Sequence, residues 1–148
     1  MTRLVYFIFK IISFLHRHKI PFLPTIINKL ILRVCFGLQI GNGTTIGKGV
    51  VFGYGGLGIV IHDRVILEDG VQIGSGVTIG GTNKKFEVPR VGKDTIISTG
   101  AKILGPIVVG KGCVIGANAV VLKNVPDYSV VVGVPGRVIK RDIDITKY

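Results

Sequence analysis

The sequence predicts an all-β fold, a left-handed parallel β-helix of six-residue repeats behind a short helical segment, and three observations predict it. From Ile40 onward an aliphatic or aromatic residue recurs at six-residue intervals. The next place is usually glycine, and the fifth place of each unit is small or β-branched. Aromatics supply 7% of the chain against 47% hydrophobic residues and 22 glycines, so the core has to be aliphatic and the backbone must turn often.

Residues 1–37 read as an N-terminal helical segment. Leu4 to Leu15 is apolar apart from Lys10 and Ser13, too short for a bilayer span. His16-Arg17-His18-Lys19 follows where a signal peptide would carry small residues. An apolar helix ending in a basic cluster suits a membrane face, and equally suits packing on its own protein or on a partner subunit. Pro21 and Pro24 separate it from a second helix, roughly Thr25 to Phe36, with Ile26, Ile27, Leu30, Ile31 and Val34 at helical spacing.

Residues 38–141 carry the repeat, and an extension runs to 148. Its first places are Ile40, Ile46, Phe52, Ile61, Leu67, Ile73, Ile79, Val91, Ile97, Ile103, Val109, Ile115 and Val121. Two intervals depart from six: Phe52 to Ile61 is nine residues and Ile79 to Val91 is twelve. Three units make a triangular coil of about 18 residues, so the repeat gives about five coils. Each coil buries its apolar row only against its neighbours. Cys113 falls in a fifth place and reads as a small core residue.

The net charge of +11, from 19 Lys and Arg against 8 Asp and Glu, favours an anionic partner. Nucleic acid is the weaker option, because the cations are scattered and no binding motif accompanies them. Two cysteines, Cys35 and Cys113, fit a reduced, cytoplasmic chain and show no metal spacing. No metal site is expected. The glycines from Gly53 to Gly58 look like a dinucleotide fingerprint but lack the surrounding βαβ unit.

Gly58-Ile59-Val60-Ile61, Val77-Thr78-Ile79-Gly80-Gly81-Thr82, Gly100-Ala101-Lys102-Ile103-Leu104-Gly105 and Val132-Gly133-Val134-Pro135 before Arg137 resemble the hexapeptide-repeat acyltransferase family. The serine acetyltransferase branch is the most similar, and the N-terminal part resembles the short helical segment of glycan-modifying relatives. The resemblance implies a homotrimer binding acetyl-coenzyme A between neighbouring β-helices, with a histidine as general base beside a hydroxyl acceptor. It implies cosubstrate contacts from Thr99, Gly100, Ala101 and Ala117, and phosphate contacts from Lys102, Lys123, Arg137 and Lys140. Tyr54, Gly80, Gly81 and Thr82 would face the acceptor.

The chain departs from the branch at two places. Tyr54 stands where the resemblance puts the catalytic histidine, and Val88 stands where a second histidine precedes proline. One histidine remains in the repeats, His62, in a second place where glycine is commonest. A break of the local rule beside two irregular intervals points to function. One coil further on lies Gly80, where the repeat stops and Gly81 to Arg90 must leave the coil as a loop. His62 is therefore the candidate general base, at the foot of that loop. Unaided, an alcohol attacks a thioester poorly near neutral pH, and a neutral imidazole taking its proton contributes about 10²–10⁴-fold.

The sequence reading is thus an acetyl-coenzyme A-dependent O-acetyltransferase, cytoplasmic or at the inner membrane face. A sugar or surface polysaccharide is the expected acceptor. Serine is the alternative, and a non-catalytic β-helical assembly module is a second one.

Overall fold

Six-residue spacing becomes three flat faces. The computed structural model describes residues 2–148. The first coil is β1 (Gln39–Ile40), β2 (Thr45–Ile46) and β3 (Val51–Phe52); the second is β4 (Val60–Ile61), β5 (Ile66–Leu67) and β6 (Gln72–Ile73). The third is β7 (Thr78–Gly80), β8 (Arg90–Val91) and β9 (Ile96–Ile97); the fourth is β10 (Lys102–Leu104), β11 (Val108–Val109) and β12 (Val114–Ile115). A fifth coil runs through β13 (Val120–Val121), a bridge from Val125 to Val109, and β14 (Val130–Val132). Every third strand stacks in parallel. Face one is β1-β4-β7-β10-β13, face two β2-β5-β8-β11, and face three β3-β6-β9-β12-β14, with β15 (Arg137–Lys140) antiparallel on its end.

The periodic row is the core. Ile40, Ile61, Ile79, Ile103 and Val121 lie in register on face one, and every first-place residue named above is buried. The fifth places, from Thr44 through Cys113 to Val125, are buried too. Glycine in second places has a steric cause: a Cβ on Gly41 would lie 2.2 Å from the Cα of Asp63 one coil on. The surplus residues leave the coil at two points, as expected. A tight turn at Gly53–Gly56 absorbs the first, and the loop after β7 absorbs the second. That loop ends at Pro89, because Arg90 already opens β8 and forks its guanidinium onto Glu68 at 2.6 and 3.0 Å.

Helix α1 (Thr2–Arg17) lies against the first coil, covering the end of the solenoid. Val5, Phe9 and Ile12 are buried there, the Tyr6 hydroxyl donates to Gly47 O at 3.1 Å, and Lys10 Nζ donates to Ile46 O at 2.8 Å. A terminal repeat has an unpaired end that needs such a cap. The second helix starts as α2 (Leu23–Ile27) and widens into a π-helix over Asn28–Cys35.

The apolar spacing of the second helix does not mark its buried face. Ile26, Leu30, Ile31 and Val34 are exposed, whereas Ile27 is half-buried against the core and Leu32 is fully buried. The reason is polar. Asn28 Nδ2 donates to Ile40 O at 2.6 Å and to Asn42 Oδ1 at 2.7 Å, and Asn42 donates to Thr25 Oγ1, tying that side of the helix to the first turn of the coil. The wider winding moves later residues off a 3.6-residue period.

Candidate active site

The edge between faces one and two carries the second-place residues after β1, β4 and β7. His62 stands there, directly after β4, and its amide donates to Ile79 O at 2.9 Å. The register sets it beside Gly80, as the one-coil shift predicts. Beyond Gly80 the chain departs into the loop of residues 81–89. Arg64 latches this loop: its guanidinium donates to Phe86 O and stacks 4.0 Å from the Phe86 ring.

His62 lines a cavity of about 540 Å³ on face one, walled by the second helix. Gly80 and Gly81 also line it. Thr82 and Tyr54 do not. Four further groups lie in its wall: Asn28, Lys29 and Arg33 from the second helix, and Asp63 after His62. Sequence reasoning passed over these four. The signal for the two cations was their i, i+4 spacing on a helix read only for its apolar residues. Neither cation has a carboxylate partner within ion-pair distance among the described residues. Asp63 Oδ1 accepts from Gly43 N at 2.8 Å.

The histidine ring is oriented locally. Its Nδ1 accepts from the Arg64 amide at 3.2 Å. A neutral imidazole accepting at Nδ1 carries its proton on Nε2, where it is a donor. In this state the ring hydrogen-bonds a hydroxyl or oxyanion. Taking a proton at Nε2 requires the Arg64 contact to open, and an exposed hydrogen bond of this kind contributes about 0.5–1.5 kcal/mol.

The candidate cosubstrate residues fall elsewhere. Thr99, Gly100 and Ala101 turn the edge between faces three and one, and Ala117 lies on that edge one coil on. Gly100 N donates to Ser75 O and Asn118 N to Thr99 O, holding the edge straight. The amides of the exposed Thr99 and Ala117 take no part in that ladder, which fits an edge able to hydrogen-bond an extended amide-bearing chain. Tyr54 stands on the same edge, 80% exposed, with φ 52 in the left-handed region where side chains other than glycine are strained. Lys102 Nζ donates to Gly76 O at 2.6 Å along face one. Lys123 and Arg137 line a separate cavity of about 280 Å³ at the C-terminal end, and exposed Lys140 sits in β15 beside it.

Within one chain, then, His62 and the Thr99–Ala117 edge lie on opposite borders of face one. At about 3.3 Å per residue the two borders are roughly 15 Å apart. A second copy of the chain would have to bring the two edge types together.

Cys113 is the one group inside the coil with a shifted titration. Burial pushes its thiol up from the ordinary value, opposed by hydrogen bonds from the Ser129 and Tyr128 amides. No cluster of metal-ligating side chains occurs among the described residues.

Comparison with known proteins gives the same reading of the repeat. The pattern described as bacterial transferase hexapeptide (six repeats) matches residues 89–123. Serine acetyltransferase of Bacillus pumilus (strain SAFR-032) is 43% identical over 126 residues, spanning 84% of this chain and 57% of the relative. A solved serine acetyltransferase in complex with cysteine superposes with a TM-score of 0.87 at 36% identity, over 93% of this chain and 54% of that one. The Vibrio cholerae O1 biovar El Tor N16961 enzyme superposes at 0.88 with 34% identity, over 95% and 54%. A likeness of this order requires the same hand of coil, and the hand is left. The chain spans little more than half the length of these relatives. Residues 89–123 thus carry the bacterial transferase hexapeptide repeat, and the β-helix around them is similar in sequence and shape to that of serine acetyltransferases.

Proposed function

We propose that the protein is an acetyl-coenzyme A-dependent O-acetyltransferase that works as a trimer, with His62 handling the acceptor hydroxyl. The observation that carries this reading is that His62 lines a cavity whose wall also holds two cations, Lys29 and Arg33, and a carboxylate, Asp63. The acceptor hydroxyl attacks the thioester carbonyl carbon and gives its proton to His62, once the ring has left the Arg64 amide. The carbon–sulfur bond then breaks, the coenzyme leaves as a thiolate, and the imidazolium returns the proton to it. An O-acetyl ester and a free thiol result. Glycine-rich backbone beside the loop supplies donors to the transient oxyanion.

Trimeric assembly is part of the proposal, because one chain holds the two kinds of edge too far apart. Closed cyclic symmetry would set the Thr99–Ala117 edge of one copy against the His62 edge of the next. One solved relative is a serine acetyltransferase in complex with CoA, which supports a coenzyme A thioester as donor.

Serine is placed ahead of a sugar as acceptor, the reverse of the order expected from the sequence. Two lines support this. The relatives at 42% and 43% identity are serine acetyltransferases. The cavity also offers Lys29 and Arg33 to a carboxylate and Asp63 to an ammonium, as a zwitterionic amino acid requires. A sugar hydroxyl is the second reading, favoured by the exposed ring of Tyr54, whose face suits stacking on a pyranose. The test is thiol release from acetyl-coenzyme A with serine and with a panel of sugars. Release with serine that falls on Lys29→Ala with Arg33→Ala, mainly through KM, supports the first reading. Release with sugars alone rejects it, and no release with any acceptor rejects the enzyme.

A further inference from the structure

Helix α1 is apolar on two sides. Val5, Phe9 and Ile12 face the solenoid and are buried. Leu4, Phe7, Ile11 and Phe14 form a second stripe, at i, i+3, i+7 and i+10, and are 50%, 62%, 41% and 60% exposed. The second helix packs against α1 and adds Ile26, Leu30 and Val34, four residues apart and also exposed. Phe22, between the helices, is 79% exposed. Exposed apolar side chains in this number on two packed helices mark an interaction site.

The charge around it has one sign. Asp63 is the first acidic residue of the sequence, so the helical segment holds cations and no carboxylate side chain. Lys10 is turned onto Ile46 O, and Lys29 and Arg33 line the cavity. Arg3, Arg17 and Lys19 remain exposed toward the two ends of the stripe. We propose that this face docks the protein on a bilayer bearing anionic headgroups. The aliphatic and aromatic side chains enter the headgroup boundary, and the flanking cations meet lipid phosphates. Pairing of this face with the same face of a second copy is disfavoured, since each brings cations to it and no carboxylate from the helical segment. At 16 residues α1 is about 24 Å long and lies along the surface. No helix among the described residues is long and apolar enough to cross a membrane. The inference does not depend on which acceptor the cavity takes.

Flotation of the full chain with phosphatidylcholine vesicles, with and without about 30 mol% phosphatidylglycerol, tests it. The expected result is recovery with the anionic vesicles only. Recovery should fall about tenfold when salt is raised several-fold. It should fall by a similar factor in a Phe7→Asp, Phe14→Asp double variant whose thermal melt is unchanged. Failure to float with anionic vesicles overturns the proposal. So does equal, salt-insensitive recovery with neutral vesicles. A double variant that floats normally but loses mass in light scattering assigns the face to another copy instead.

Discussion

The backbone amide of Arg64 donates to Nδ1 of His62 at 3.2 Å, while the guanidinium of the same Arg64 holds the carbonyl of Phe86 in the ejected loop. One residue thus sets the ring of the candidate catalytic histidine and the position of the loop above it. The two functions use different atoms, so they can be separated.

Replacing His62 tests the ring. His62→Ala should lower kcat by about 10²–10³-fold with no loss of thermal stability, because the side chain is not part of the core. His62→Gln keeps a donor near the Nε2 position but cannot take a proton. If the ring acts as a base, Gln and Ala should be equally poor. Activity of the Gln variant within about tenfold of the parent would instead assign His62 to oxyanion donation. Steady-state thiol release decides between them.

Replacing Arg64 tests the latch. Arg64→Ala keeps the main-chain amide and so keeps the contact to Nδ1, but it removes both contacts to Phe86. Limited proteolysis within residues 82–87 should become several-fold faster. The melting temperature should barely move, since exposed polar contacts of this kind are worth about 1 kcal/mol or less. Unchanged cleavage would mean that the loop is held by other means.

The glycine rule gives a paired test. Gly41→Ala forces a Cβ to 2.2 Å from the Cα of Asp63 and should cost at least about 2 kcal/mol, read as a lower denaturation midpoint. At Gly80 nothing lies within 4 Å of the added carbon, so Gly80→Ala should fold normally. It should nevertheless change acceptor KM, because Gly80 lines the cavity.

Core truncation tests the stacking. Ile103 is fully buried between Ile79 and Val121, and Ile103→Ala should cost about 2–5 kcal/mol in chemical denaturation.

The two thiols should differ in reactivity. Cys35 is exposed and should alkylate in the native state, whereas buried Cys113 should react only on unfolding. The Cys113 thiol is raised above its ordinary 9.0 in the fold, so the unfolded chain gives up this proton first as pH rises. The contribution to stability is therefore complete below about pH 9 and is lost as pH climbs through the raised value. Cys113→Ala should flatten that alkaline loss, as measured by denaturation at pH 8 to 10.

The inward row from Ile40 to Val121 and the small fifth places were legible in the sequence, because a solenoid repeats one local environment and stamps it on the chain at a fixed period. His62 was legible for the same reason, as a break in that pattern one coil before a departure from it. The second helix was not. Its apolar spacing marked a helix but not which side it buries, because that is set by the Asn28–Asn42 hydrogen bond, and no local pattern records a polar tie to a residue 14 positions away. The cationic companions of His62 were hidden likewise, since Lys29 and Arg33 come from a helix that meets the His62 edge only in space. The sequence by itself determined the coil, its register and the two points where the chain leaves it, since each follows from contacts that recur every six residues. Only the tertiary structure decided where the N-terminal helices sit, which of their faces stays exposed, and that His62 and the Thr99 edge lie on opposite borders of one face. Those depend on single long-range contacts, each made once.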